Sequence, residues 1–204
     1  MRYTTEREVT ISNRMKLSGI HSISDLSIEN LCALYKIDIK FQARSSYCIY
    51  EDDYAVIFMD NRLPFYEQRR VFFHELAHYL FHHGNQRHMP KSMMTLQEEQ
   101  ARFVSRYIAM PRHIFLPLVH EQRSILDLQE LFQLPEQMIV DRCHSMKRER
   151  TRSIIQTRLE YNQELNKRKS LQAENIYDGT REMLHQLASK VGEESISYDV
   201  RRLL

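Results

Sequence analysis

The spacing of apolar residues predicts helices early in the chain. Within residues 27–35, four apolar side chains share one helical face: Ile28, Leu31, Leu34 and Tyr35. Ser27 precedes them and suits an N-cap, because its side-chain oxygen can accept a hydrogen bond from a free backbone N–H of the first turn. We therefore predict a helix over residues 27–35 and another within the first twenty residues.

Residues 37–60 change to a pattern that is typical of β-strands. Apolar and polar residues alternate over residues 37–42, which indicates a half-buried strand. Residues 47–50 and 54–59 are short runs rich in aromatic and β-branched side chains, and acidic turn-forming residues separate them. The pattern predicts a small antiparallel sheet of about three strands.

Two long helical patterns follow the strands. Residues 65–83 carry apolar side chains at helical spacing, and Gly84 suits the left-handed position that often ends a helix. A second long helix is predicted over residues 93–110, because Pro111 cannot continue it. Beyond Pro111 the pattern indicates shorter helices, and then a charged tail that favours helix.

These elements together predict an α+β protein that is mostly helical. The small antiparallel sheet would pack on the helix over residues 65–83, and a helical extension would form the C-terminal part. We divide the chain into a core over residues 1–111, a helical subdomain over 112–146 that completes the core, and a charged helical tail over 147–204. The scarcity of helix breakers, four Gly and five Pro in 204 residues, favours the helical content.

Composition and charge exclude several classes of protein. The three cysteines are widely spaced, which fits neither a disulfide framework nor a CxxC metal site. No stretch approaches the ~20 apolar residues of a membrane-spanning helix, and the N-terminus does not resemble a signal peptide. We therefore expect a cytoplasmic protein with no membrane partner. The net charge of +2 implies no polyanionic partner by itself.

The helix over residues 65–83 contains the motif with the clearest chemistry, HELAH at residues 74–78. His74 and His78 stand one helical turn apart and project from one face, so their imidazoles can share one Zn²⁺. Glu75 is displaced around the helix from both histidines. It can therefore stand beside a metal-bound water as a general base without binding the metal, as in HExxH metalloproteases.

A catalytic zinc needs a third protein ligand, and the start of the second long helix offers one. Glu98 and Glu99 are neighbours there and face different directions, so one of the two is the candidate ligand. We choose Glu98, because the small Ala101 shares its face and permits close approach of the two helices. His82 lies near the ligand face but two turns from His74, so we expect it to support the site or to cap the helix.

The residues around this motif resemble the ImmA/IrrE-type metallopeptidases of bacteria and their mobile elements. The resemblance covers about residues 20–145, including the strand pair that ends in IFMDNRLP, the zincin-like motif helix, and LQEEQARFVSRYIAMP at residues 96–111. By position it implies that His74, His78 and Glu98 bind the metal and that Glu75 is the catalytic base. The family usually carries Asn or Asp four residues after the ligand Glu, where this chain has Arg102.

The resemblance also implies a substrate and a biological role. Such peptidases typically cleave a helix-turn-helix repressor encoded beside them, which releases phage, mobile-element or stress genes. The expected function is thus a zinc-dependent endopeptidase that acts on such a repressor. The strand over residues 54–59 is our candidate for the sheet edge that would hold the peptide by strand addition.

Two alternatives remain open from the sequence. Arg102 motivates the first, a metal-bound regulator that sequesters a repressor without cutting it. The second is a nucleic-acid-binding protein, because nine Lys or Arg and three Glu lie between Arg142 and Lys169. We favour a solvated helical face for this stretch, and expect no direct nucleic-acid binding. The two short helices predicted around Leu134–Pro135 resemble a helix-turn-helix, but their second helix offers only Arg142 as a basic side chain.

Overall fold

A computed structural model describes residues 6–51, 53–82, 90–121, 123–170, 172, 175–192 and 195–204. Contacts divide the chain into two compact units, Met1–Glu149 and Arg150–Leu204. The elements in chain order are α1 (Glu6–Leu17), a 3-10 helix (Ser24–Leu26), α2 (Ile28–Tyr35), β1 (Ile37–Gln42), β2 (Tyr47–Glu51), β3 (Tyr54–Asp60), α3 (Phe65–Phe81), α4 (Lys91–Ala109), α5 (Arg112–His120), α6 (Ile125–Phe132), α7 (Glu136–Ser170), α8 (Asp178–Val191) and α9 (Tyr198–Arg201). The described residues confirm an α+β protein that is mostly helical.

The first helices form where the sequence predicts them. Ser27 caps α2, and its side-chain oxygen accepts a hydrogen bond from the backbone N–H of Asn30 at 3.2 Å. The helix ends at Lys36, whose φ of 52° lies in the left-handed region. This residue turns the chain directly into β1. The predicted helix within the first twenty residues is α1.

The sheet has three strands as predicted, but it is mixed and not antiparallel. Its order is β1-β3-β2, with β1 parallel to β3 and β2 antiparallel to β3. The prediction of an antiparallel sheet is therefore wrong. Alternation along a strand reports which face is buried, and it carries no information on the direction or identity of the neighbouring strands.

The same strand order corrects the predicted substrate edge. The run over residues 54–59 forms β3, which lies in the centre of the sheet with both sides paired. Its side chains Ala55, Ile57 and Met59 are buried in the core, so the apolar character of this strand reflects its central position. The edges of the described sheet belong to β1 and β2.

The two long helices are confirmed, and they pack against each other. In α3 the side chains of Phe72, Phe73 and Leu76 are fully buried, and Ala101 and Ile108 of α4 belong to the same core. The helix α4 ends at Ala109, and its C-cap residue Met110 stands immediately before Pro111. The end of α3 has His82 as its C-cap residue. The predicted C-cap, Gly84, lies outside the described residues.

The helices on either side of Leu134–Pro135 differ from the prediction of two short helices. The first, α6, is short and begins with a capping box formed by Ser124 and Asp127. The second is α7, which has 35 residues and runs from Glu136 to Ser170. Its sequence contains no Gly or Pro over this range, so nothing in the backbone ends the helix earlier. No helix in the described part of the chain is both long and apolar enough to cross a membrane.

Arg142, the basic residue considered for nucleic-acid contact, is completely buried in α7. Its guanidinium pairs with the buried carboxylate of Glu8 in α1 and lies 4.4 Å from the ring centroid of Tyr107. Arg112 stands 3.5 Å from the same carboxylate and binds Glu149 at 2.6 Å. Arg142 therefore joins α1 to α7 inside the core and is not available to a nucleic acid.

A second buried arginine, Arg69, holds the motif helix α3 in place. Its Nε donates to the carbonyl of Phe132 at 2.9 Å and its Nη2 donates to the carbonyl of Leu26 at 2.7 Å. The guanidinium also lies over the ring of Phe73, 5.2 Å from its centroid. Burial lowers the pKa of Arg69, and the side chain ties three segments together one turn before the motif.

We expect the substitution Arg69→Met to lower the free energy of unfolding by about 2–4 kcal/mol, because two buried carbonyls lose their donors. Urea unfolding followed by circular dichroism measures this change. The matched control is Arg70→Met, which removes an exposed arginine from the same helix and should change stability by less than about 0.5 kcal/mol. Equal effects of the two substitutions would contradict the role given to Arg69.

Candidate metal centre

The helices α3 and α4 bring three metal-binding side chains together: His74, His78 and Glu98. We refer to these three residues as the donor cluster. The Nε2 atoms of His74 and His78 are 3.2 Å apart. The carboxylate oxygens of Glu98 lie 3.2 Å from His74 Nε2 and 3.3 Å from His78 Nε2. Glu98 makes these two contacts through different oxygens, Oε2 towards His74 and Oε1 towards His78. One ligand atom from each of the three residues lies within 4.8 Å of the others.

The separations between the contacting donor atoms are close to those that a zinc ion requires. Three donors placed tetrahedrally at about 2.0–2.1 Å from one zinc ion are about 3.3–3.4 Å from one another. Two imidazoles and one carboxylate are also a common donor set of catalytic zinc, with the fourth position left for water or substrate. The neighbouring Glu99 is exposed and is not part of the cluster. The donor cluster thus fits zinc, and its role as ligand set remains a prediction.

Both histidines are held in the form that binds a metal. Burial lowers the pKa of His74, and the charges of Arg70 and Arg102 act in the same direction, while Glu98 opposes them. Burial and the neighbouring His74 lower the pKa of His78 as well. Because a lowered pKa keeps an imidazole neutral at pH 7, a ring nitrogen stays free to donate its lone pair.

Glu75 lies beside the donor cluster, but its carboxylate is near β2 and is not one of the donors. The side chain is buried, and the backbone N–H of Cys48 in β2 acts on its carboxylate and opposes the rise of its pKa. Burial and the charge of Glu98 raise the pKa of Glu75 to about 7. A carboxyl group with a pKa near neutrality can both accept and return a proton, which is the requirement for a general base.

His82 contacts the donor cluster from the end of α3. Its Nδ1 lies 3.0 Å from Nδ1 of His78, and its backbone carbonyl accepts a hydrogen bond from the Tyr50 hydroxyl at 3.1 Å. When Nε2 of neutral His78 offers its lone pair to a metal, the ring proton is on Nδ1. This Nδ1–H then donates a hydrogen bond to Nδ1 of His82. His82 therefore orients a ring of the cluster and also caps the helix, as the sequence suggested.

Sequence reasoning missed the contribution of β2 to the site. Cys48 and Tyr50 reach the motif helix from this strand, through a backbone N–H to Glu75 and a hydroxyl to His82. The alternation of half-buried and exposed residues in β2 signalled that these two side chains face inward, but not what they face.

Of the other histidines, His113 binds Ser12 and the carbonyl of Ile20 and is not part of the cluster.

The comparison with known protein families identifies the chain. The Peptidase_M78 family model, described as the IrrE N-terminal-like domain, matches residues 36–144. This match covers more than half of the 204 residues and includes the sheet, α3 with its motif, and α4 with Glu98. No curated protein and no solved structure matches the chain. The chain therefore belongs to the IrrE N-terminal-like family of metallopeptidases.

Proposed function

We propose that this protein is a zinc-dependent endopeptidase. The observation that carries the proposal is the donor cluster of His74, His78 and Glu98, in which the contacting atoms of each pair are 3.2–3.3 Å apart. The buried carboxyl of Glu75 lies next to this cluster. A donor cluster alone would be compatible with a structural metal. Three donors that leave a fourth position open, beside a proton acceptor of raised pKa, are what a hydrolytic site requires.

The roles of the side chains follow from their positions. His74, His78 and Glu98 would hold the zinc ion, which when bound acts as a Lewis acid that activates water and polarises the scissile carbonyl. Glu75 accepts a proton from the attacking water and returns it to the leaving amine. The backbone N–H of Cys48 keeps the Glu75 carboxylate aimed at one place, and His82 keeps the His78 ring in one tautomer.

The strand β2 is the candidate binding edge for an extended peptide. It pairs with β3 on one side, and in the described sheet its other side is free. Its residue Cys48 contacts Glu75, so a peptide added along β2 would pass beside the donor cluster. Strand addition would supply main-chain hydrogen bonds to the substrate, while side chains near the cluster would supply specificity.

The proposed substrate is a helix-turn-helix repressor or a similar regulatory protein, whose cleavage would derepress phage, mobile-element or stress genes. Membership in the IrrE N-terminal-like family supports this substrate. Incubation of the zinc-loaded protein with purified candidate repressors tests it, with fragments identified by mass spectrometry. If every candidate remains intact while an unrelated unfolded protein is cut, the repressor as substrate is excluded.

Removal of one donor should abolish metal binding and cleavage together. We expect His78→Ala to lower zinc affinity by at least about 100-fold, because a two-donor site cannot close around the ion. Competition with a chromogenic chelator measures the affinity, and cleavage of an unfolded protein measures the activity. The control is His113→Ala, which removes a histidine outside the donor cluster. Retained zinc binding in His78→Ala would contradict the assignment.

A second candidate function is a metal-bound regulator that binds a repressor without cutting it. Arg102 favours this candidate, since it replaces the Asn or Asp that the family usually carries and places a positive charge near His74. The two functions differ in their need for Glu75. A binding regulator needs the donor cluster alone, whereas a peptidase needs the carboxylate as well.

A further inference from the structure

Two exposed arginines lie one helical turn from residues of the donor cluster, and the proposed chemistry does not use them. Arg70 stands one helical turn before His74 on α3, and Arg102 stands one turn after Glu98 on α4. Residues four apart on a helix share a face, so each arginine lies on the same face as a cluster residue of its own helix. Both helices thus present a cation at the same metal-binding site.

Arg70 and Arg102 lie one helical turn from the two residues that form the contact between His74 and Glu98. Arg70 and Arg102 both act on the imidazole of His74. The charges that act on His78 come instead from His74, Glu98 and His82. The separation of 3.2 Å between His74 Nε2 and Glu98 Oε2 brings both arginines near the predicted metal position, where a substrate residue beside the scissile bond would meet them.

Neither arginine has a role in the core of the protein. Both side chains are exposed. Arg70 binds Glu67 through a surface ion pair at 2.6 Å, which is worth little and can be exchanged. For Arg102, the described residues offer no acidic partner within ion-pair distance. The donor cluster contains one carboxylate, that of Glu98. A bound zinc ion would more than neutralise its negative charge.

We propose that Arg102, with Arg70 beside it, selects substrates that carry an acidic side chain next to the scissile bond. This inference rests on the proposed peptidase function. A guanidinium binds a carboxylate through two parallel hydrogen bonds, which no neutral side chain matches. Because both side chains are exposed, we assign them as specificity-determining residues that bind the substrate and are not themselves among the hydrolytic groups.

Cleavage of a randomised peptide library tests the proposal. The zinc-loaded protein is incubated with the library, and the cleavage sites are mapped by mass spectrometry. We expect Asp and Glu at one position next to the cut to be enriched about tenfold over Asn and Gln. This factor is at the lower end of the range for a hydrogen bond to a charged group, because the site is exposed. Arg102→Gln should reduce this enrichment, Arg102→Gln with Arg70→Gln should abolish it, and Arg102→Glu should favour Lys and Arg at that position.

Several readouts separate substrate binding from a structural effect. Two peptides that differ only by Asp in place of Asn should give the wild-type protein different KM values and similar kcat values. The difference in KM should shrink as the salt concentration is raised. The control Lys40→Gln removes an exposed cation from β1, and it should leave the preference unchanged. An unaltered acidic preference in the double variant, or a wild type without such preference, would overturn the proposal.

A failure of the peptidase function would be recognised separately. If the zinc-loaded wild type cuts no library peptide, the proposed function fails. The arginine proposal is then decided by binding, since the same library can be retained on immobilised zinc-loaded protein and sequenced. Enrichment of acidic peptides that disappears in the double variant supports substrate selection by the arginines. Equal retention of acidic and neutral peptides contradicts it.

Discussion

The substitution Glu75→Gln is expected to lower the rate of peptide hydrolysis by about 10²–10⁴-fold, because it removes the proton acceptor and preserves the size of the side chain. The amide oxygen of Gln can still face the Cys48 backbone N–H, so the local fold should survive. Zinc affinity should be kept, since Glu75 is not in the donor cluster. Initial rates with an unfolded protein substrate and zinc stoichiometry measure the two effects.

The control for this substitution is Glu99→Gln, which removes an exposed carboxylate next to Glu98 and should leave the rate unchanged. Hydrolysis that persists at the original rate in Glu75→Gln would exclude the assigned base. The same variant also separates the two candidate functions in cells. A peptidase loses derepression of its target genes with Glu75→Gln, whereas a binding regulator keeps it and loses it only with His78→Ala.

Replacing Arg142 with Leu should destabilise the fold more than any other substitution considered. It leaves the carboxylate of Glu8, which is 3% exposed, without its closest cation. Loss of one partner from a buried ion pair typically costs about 3–5 kcal/mol, because the remaining charge stays buried. Arg112, 3.5 Å from the same carboxylate, would compensate for part of this loss. Urea unfolding measures the free energy.

The variant Arg148→Leu is the matched control, since Arg148 is exposed on the same helix. It should change stability by less than about 0.5 kcal/mol. Adding Glu8→Gln to Arg142→Leu removes the stranded charge, so the double variant should lose less than the sum of the two single losses. Strict additivity would show that Glu8 and Arg142 do not act as a pair.

Local features were predictable because they depend on neighbouring residues alone. Ser27 begins α2 through a hydrogen bond to a residue three positions on, and Pro111 ends the α4 pattern whatever packs around it. The grouping of His74 and His78 is equally local, since helical spacing places any two residues four apart on one face. The choice of Glu98 over Glu99 already required the assumption that α3 and α4 pack together.

Long-range pairings were not predictable, because the sequence pattern does not encode which surfaces meet. The run over residues 54–59 looked like an edge strand, but it is central and parallel to β1. Arg142 looked like a surface cation in a basic stretch, but the carboxylate of Glu8, 134 residues away in the chain, neutralises it in the core. Sequence alone predicts that a charged residue is exposed, because charged residues are seldom buried without a partner and the partner is not visible in the sequence pattern.

By itself, therefore, the sequence determined the helices α1 to α4, the three strands and the grouping of His74 with His78, because hydrophobic period, capping and helical spacing act over a few residues. Only the tertiary structure decided that β2 is the edge beside Glu75, that His82 contacts His78, and that Arg142 is buried. Each of these depends on contacts between segments distant in the chain. Such contacts are selected by the packing of whole faces, which no local pattern specifies.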